Sequence, residues 1–179
     1  MVVLGGEKSE KSKLIFKFIN NKFPDEHDAI VEDSYNVNIS TDGKNHEFTI
    51  LDTAGEDDYQ TMLDEWIKSG DGFVIVFSVD DKEGFEALKN KYNRIKLRGK
   101  GNEPIFLVGN LKDIPENERK VSKNEAELMA KSLGIQYFEV STTNDFNGNI
   151  KLVFNKLAEE MVKFKEKPKS KQSKNCYII

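Results

Sequence analysis

Near its start the chain carries a short run of residues whose types and spacing suit anion chemistry. After the apolar stretch 1–4 come Gly5-Gly6-Glu7-Lys8-Ser9-Glu10-Lys11-Ser12, then Lys13 and a helix-like run. A phosphate-binding loop reads G-x-x-x-x-G-K-[ST] between a strand and a helix. Its backbone N–H groups wrap the phosphates, its lysine bridges the terminal ones, and its hydroxyl binds Mg²⁺. Gly5, Lys11 and Ser12 fit that pattern, whereas Glu10 stands where the second glycine belongs. A Gly-Gly turn followed by a capped amphipathic helix accounts for the same residues.

Other chemically able residues gather at the ends of apolar runs. Leu51-Asp52-Thr53-Ala54-Gly55 ends one, Val108-Gly109-Asn110-Leu111-Lys112-Asp113 another, and Ser141-Thr142-Thr143 a third. Taken singly, Asp52 reads first as a strand-end cap and Phe23 as a core residue. An acidic stretch, Glu32-Asp33-Ser34-Tyr35, precedes a strand pair, and the sequence closes on Cys176-Tyr177-Ile178-Ile179.

These residues need a frame to bring them together, and the hydropathy pattern supplies one. Strand-like runs lie at 1–4, 35–40, 44–51, 72–79, 104–109 and 136–140. The second and third flank Thr41-Asp42-Gly43, a hairpin turn. Near-continuous apolar character at 72–79 and 104–109 predicts strands covered on both faces, as in a parallel sheet. Helical periodicity falls at 12–19, 58–68, 83–97, 123–132 and 148–163, with Ser122 and Glu125 spaced as a capping box. The expectation is an α/β fold: a six-stranded mixed sheet with one antiparallel hairpin edge and helices on both faces. Ligands of such sheets bind at loops beyond the carboxyl ends of the strands, where the residues above stand.

The 179 residues suit one domain, expected over 1–162, followed by a flexible tail over 163–179. No apolar run approaches the roughly 20 residues needed to cross a bilayer, and the first residues lack a secretory pattern. A single cysteine excludes an internal disulfide framework. The net charge of −4 is uneven: from Lys163 onward six lysines face one acid, Glu166. An acidic body with a basic tail argues against general nucleic-acid binding and for contact with anionic lipid. A solvated, disordered end is the plain alternative.

With the five blocks in order at strand ends, the whole sequence resembles the Ras family of small GTPases, although its first strand begins several residues late. The resemblance implies a P-loop G domain binding GTP or GDP with Mg²⁺, and it assigns roles. Gly5 through Lys13 would cradle the phosphates, with Lys11 on the β- and γ-phosphates. Ser12 and Asp52 would hold Mg²⁺, with Thr53 and Ala54 beside them, and Phe23 would pack on the guanine edge. The Gly55 N–H would sense the γ-phosphate. Asn110 and Asp113 would read guanine, a carboxylate accepting from its N1–H and exocyclic amine. Leu111, Ser141, the Thr142 N–H and Thr143 would line the base. Residues 27–35 and 53–66, including Glu32, Asp33, Ser34 and Tyr35, would meet effectors and regulators, where partners add a strand and present basic residues. Cys176 would be prenylated within a C-a-a-X box, and the lysines would supply the second membrane signal, placing the protein at the cytoplasmic face of the plasma membrane or another membrane.

Departures from the pattern are as informative. A Glu10 carboxylate about 4 Å from a phosphate, at an effective dielectric near 20, costs on the order of 4 kcal/mol per charge pair. Lys8 would offset part of this by pairing with Glu10, or Glu7 or Glu10 would itself fill the anion site against Lys11. Ile30 replaces a threonine ligand and has no oxygen to offer. Glu56 replaces the glutamine that orients water, and a carboxylate only accepts hydrogen bonds. Leu111 and Thr143 replace lysines. The expectation is a guanine-nucleotide switch with impaired hydrolysis and switching; the alternative is a nucleotide-poor pseudo-GTPase that binds effectors or exchange factors.

Overall fold

The computed structural model describes residues 1–20, 32–53, 60–111, 113–143 and 149–166. In chain order the elements are β1 (Val2–Gly5), a 3₁₀ turn (Glu7–Ser9), α1 (Lys11–Asn20), β2 (Glu32–Thr41) and β3 (Lys44–Thr53). They continue with α2 (Gln60–Ser69), β4 (Phe73–Ser78), α3 (Lys82–Arg98), β5 (Ile105–Asn110), α4 (Lys123–Leu133), β6 (Gln136–Glu139) and α5 (Asn149–Glu166). The strands form one sheet in the order β2-β3-β1-β4-β5-β6. Only β2 and β3 pair antiparallel; β1, β4, β5 and β6 join in parallel. The expected α/β sheet is therefore present. The turn between β2 and β3 holds Asp42 and Gly43 at φ 50° and 75°, the left-handed geometry of a two-residue hairpin loop.

Side-chain alternation divides the core between the two faces. On one, Val3, Val74, Val76, Phe106 and Val108 pack against Leu14 and Ile15 of α1 and Phe154 and Leu157 of α5. On the other, Leu4, Ile75, Phe77 and Leu107 meet Trp66 of α2, Phe85 and Leu88 of α3, and Ala126 of α4. Every residue of β4 and β5 is buried, as their unbroken apolar runs require of strands covered on both faces. The Phe18 and Phe154 rings stack with centroids 4.4 Å apart and fix α1 to α5.

Local signals act through physical contacts. Ser122 caps α4 by accepting the Glu125 N–H at 3.2 Å. The reciprocal half of the capping box is not made, because the Glu125 carboxylate accepts from Lys82 instead. α5 continues to Glu166, so Lys163 and Lys165 stand on the helix, and Lys165 pairs with Asp71 at 2.9 Å. No helix among the described residues is long and apolar enough to cross a membrane.

Candidate nucleotide site

The carboxyl ends of β1, β3, β5 and β6 bring four of the motif segments to one end of the sheet. Beyond β1, a Cβ on Gly5 would lie 2.4 Å from the Val76 carbonyl and 2.7 Å from Ser9 Oγ, so only glycine fits there. Gly6 faces open space. Its carbonyl collects three donors: the Ser9 N–H at 3.2 Å, the Ser9 hydroxyl at 2.6 Å and the Lys11 ammonium at 3.3 Å. Ser9 is thereby buried while Glu7 and Lys8 lie exposed. Ser12 and Lys13 occupy the first turn of α1.

Glu10 has φ 57° and ψ 38°, the left-handed region that a glycine enters without penalty. In a residue with a Cβ this backbone costs roughly 1–2 kcal/mol. Its carbonyl accepts the Leu14 N–H at 3.0 Å, which opens α1. Its carboxylate reaches along the helix, where Lys13 Nζ donates to Oε1 at 2.5 Å, and across the site, where the Thr142 hydroxyl donates to Oε2. The expected pairing with Lys8 is thus corrected to Lys13, one helical turn on. The carboxylate is not on Lys11 either: its two oxygens accept from Lys13 and Thr142.

Lys11 is only 5% exposed. Desolvation lowers its pKa from 10.5 to about 8, opposed by the charge of Asp52, which favours the ammonium. Asp52, at the end of β3, is fully buried. Thr53 beside it faces the sheet, and its hydroxyl donates to the Val3 carbonyl at 2.8 Å.

Asn110 joins three segments. Its side-chain amide donates to the Ser9 carbonyl at 3.0 Å and to Thr142 Oγ1 at 3.2 Å. Its side-chain oxygen accepts the N–H groups of Leu111 at 2.8 Å and Thr142 at 3.1 Å. Leu111 holds φ 61° and packs against the α2–α3 core. Asp113 accepts from the Ser141 hydroxyl at 2.5 Å and from the Thr143 hydroxyl. The Thr142 N–H, expected to reach a base carbonyl, is thus engaged by Asn110. Sequence reading considered only that N–H; the Thr142 hydroxyl and the part played by Lys13 escaped it. The i to i+3 spacing of Glu10 and Lys13 was the available signal.

The edge strand β2 carries Asp33, Ser34 and Tyr35. Asp33 Oδ1 accepts the Ser34 N–H at 2.8 Å. Burial and then the Asp33 carboxylate raise the Tyr35 phenol from 10.0 to about 12. Phe23, Ile30, Ala54, Gly55, Glu56 and Cys176 lie outside the described residues, as does the side chain of Glu32.

The residues meet the demands of a Mg²⁺-nucleotide unevenly. Ser12 and the buried Asp52 are two oxygen donors that would hold Mg²⁺, an ion that keeps waters and phosphate oxygens as its other ligands. Asn110 is held by Ser9, Leu111 and Thr142 and Asp113 by Ser141 and Thr143, the two side chains that would read a base. The Glu10 carboxylate joins the start of α1 to the loop after β6.

Comparison with known proteins agrees with this arrangement. The Ras family model matches residues 1–163. The chain is 32% identical over 185 residues to Ras-like protein rasC of Dictyostelium discoideum, covering 100% of this chain and 97% of that protein. It is 37% identical over 181 residues to Ras-like protein rasB of the same organism, covering 100% and 90%. To Ras-like protein RAS2 of Hydra vulgaris it is 40% identical over 149 residues, covering 82% and 77%. On its sheet order, its strand-end motifs and these matches, the chain belongs to the Ras family of small GTPases.

Proposed function

We propose that this chain is a membrane-tethered Ras-family signalling protein that holds guanine nucleotide poorly and acts as a binding module for effectors or exchange factors. The observation that carries this reading is the Glu10 carboxylate on Lys13 and Thr142, across the path between phosphate loop and base loop. A bound nucleotide would have to displace both contacts and meet a carboxylate where the family has none. The residue types at Glu56 and Ile30 point the same way, one unable to donate to an attacking water and the other unable to ligate Mg²⁺. The edge at Glu32–Tyr35 keeps the family's residues, which supports contact with partners that add a strand.

The purified protein tests this directly. Denatured protein is expected to release little GDP or GTP, and added Mg²⁺-GDP is expected to leave Tm nearly unchanged. Stoichiometric nucleotide on denaturation, with Tm rising on addition of ligand, would overturn the reading. That outcome would favour a slow GTP/GDP switch, for which the four hydrogen bonds organising Asn110 are the supporting observation.

For the tether, the support is Cys176 four positions from the end of the sequence with the lysine run before it. One prenyl chain binds marginally, and each lysine near anionic lipid adds about 1 kcal/mol. Cys176→Ser is expected to move the protein from membrane to soluble fractions; retention on membranes would refute the anchor.

A further inference from the structure

α3 carries a run of like charge within an otherwise acidic body. After Glu86 it has no acid: Lys89, Lys91, Arg94, Lys96 and Arg98 follow on the helix, with Lys100 just beyond its end. The next acid is Glu103, which is buried and accepts the N–H groups of Lys100 and Gly101, so it does not offset the run at the surface. The helix divides these cations between two faces. Arg94 and Arg98 turn toward α2, where Asp64 accepts from Arg94 at 2.7 Å and lies 3.7 Å from Arg98. Lys89, Asn93 and Lys96 are exposed, and at about 3.6 residues per turn they stand one above another on the outer face.

Leu97 follows Asn93 by one turn on that face and is 75% exposed, more than Leu128 of α4 or Leu152 of α5. Its chain neighbours are Lys96 and Arg98. Lys96 donates to the Gly101 carbonyl at 3.0 Å, and among the described residues neither it nor Lys89 enters an ion pair. An apolar tip flanked by cations on long aliphatic stems matches the boundary between lipid headgroups and acyl chains. The leucine enters the boundary while the ammonium groups stay with the phosphates.

The C-terminal end of α3 also meets that of α5. Asp71 accepts from Lys100 at 2.6 Å and from Lys165 at 2.9 Å, which sets the two helix ends side by side. Lys163 is exposed on the same last turn of α5, and the sequence goes on through Lys167, Lys169, Lys171 and Lys174. We propose that the outer face of α3, formed by Lys89, Lys96, Leu97 and Arg98, is a docking surface for an anionic lipid bilayer. The inference rests on the membrane tether proposed above and goes beyond it. The tail holds the protein at the bilayer, and α3 decides which side of the domain lies against it. Each cation brought to an anionic surface contributes about fivefold in affinity.

The full chain without lipid attached is sedimented with vesicles of phosphatidylcholine and phosphatidylserine. Binding is expected to weaken roughly twentyfold in Lys89→Gln/Lys96→Gln, two exposed positions away from the nucleotide site. Loss confined to the Lys169→Gln/Lys171→Gln/Lys174→Gln variant would overturn the proposal, by leaving the tail as the whole of the lipid contact. Loss confined to the α3 variant would uphold it while removing the lysine tail from the tether. A second measurement places the contact. Lipids brominated in their acyl chains are expected to quench the indole introduced by Leu97→Trp by about half and to spare the one introduced by Leu128→Trp. Trp66, buried and common to both variants, is the shared background. Equal quenching in the two would overturn the proposal. So would an α3 variant that binds vesicles as the unaltered chain does but is no longer retained on immobilised polyglutamate, since the face would then dock an acidic protein.

Discussion

Glu10 and Thr142, 132 positions apart in the chain, share a hydrogen bond that closes the phosphate loop onto the loop after β6. One departure from the family pattern, a carboxylate in place of glycine, thus meets in space a hydroxyl able to hold it. The left-handed backbone at Glu10 is the glycine geometry retained under a side chain that does not favour it.

Glu10→Gly is expected to raise guanine-nucleotide affinity roughly a hundredfold, since two contacts to a charged group no longer compete. Stability is expected to change by only about 1 kcal/mol, because the relieved backbone strain offsets the lost contacts. Thr142→Ala removes one of the two contacts and should give a smaller gain. Titration with a fluorescent GDP analogue checks both, and unchanged affinity in Glu10→Gly would mean that the carboxylate does not obstruct the site.

The adjacent glycines of the loop should respond oppositely to the same substitution. Gly5→Ala drives a methyl against the Val76 carbonyl and is expected to cost about 3 kcal/mol or more. Gly6→Ala meets no atom within 4 Å at an extended backbone with φ −68°, and is expected to be neutral or stabilising by about 0.5 kcal/mol. Urea denaturation of the two variants separates these outcomes.

Asn110→Ala is expected to destabilise the fold by about 3 kcal/mol. It strands the Ser9 carbonyl and the Thr142 N–H in a buried setting and unties three segments at once. The loss should appear as a lower Tm without any ligand, which distinguishes a structural hub from a residue needed only for a base.

Lys11 makes stability depend on alkaline pH. Its folded pKa of about 8 lies below the ordinary 10.5, so between these values the unfolded chain binds more protons and stability rises with pH. The cost of the buried ammonium is fully present below pH 8 and is relieved as pH rises toward 10.5. Lys11→Met is expected to stabilise the protein by about 3 kcal/mol at pH 7, with the gain fading across that window. Equal gains at pH 7 and pH 10 would show that Lys11 keeps its proton.

Much of the frame was legible because its cause is local. The runs at Phe73–Ser78 and Ile105–Asn110 declare strands with two covered faces, and Asp42-Gly43 declares a tight turn. Asn110, Asp113 and Ser141 stand out at strand ends for the same reason. The contacts of Glu10 were not legible in this way. Lys8 and Lys13 lie two and three residues from it, and the sign of one φ angle decides between them. The Glu125 carboxylate likewise suited a capping box, but a lysine on another helix claims it.

The placing of β1 governs how the sheet can assemble. β2 and β3 are joined by a two-residue turn and need only local closure, which hairpins complete in roughly 1–10 µs. Val2, by contrast, pairs with both Leu51 and Phe73, so the first strand enters the middle of the sheet only when distant segments are at hand. Until then β3 and β4 each present an edge to their surroundings, open to pairing with another molecule. Refolding yield should therefore fall with protein concentration, and the phosphate loop, as the continuation of β1, matures with that late insertion.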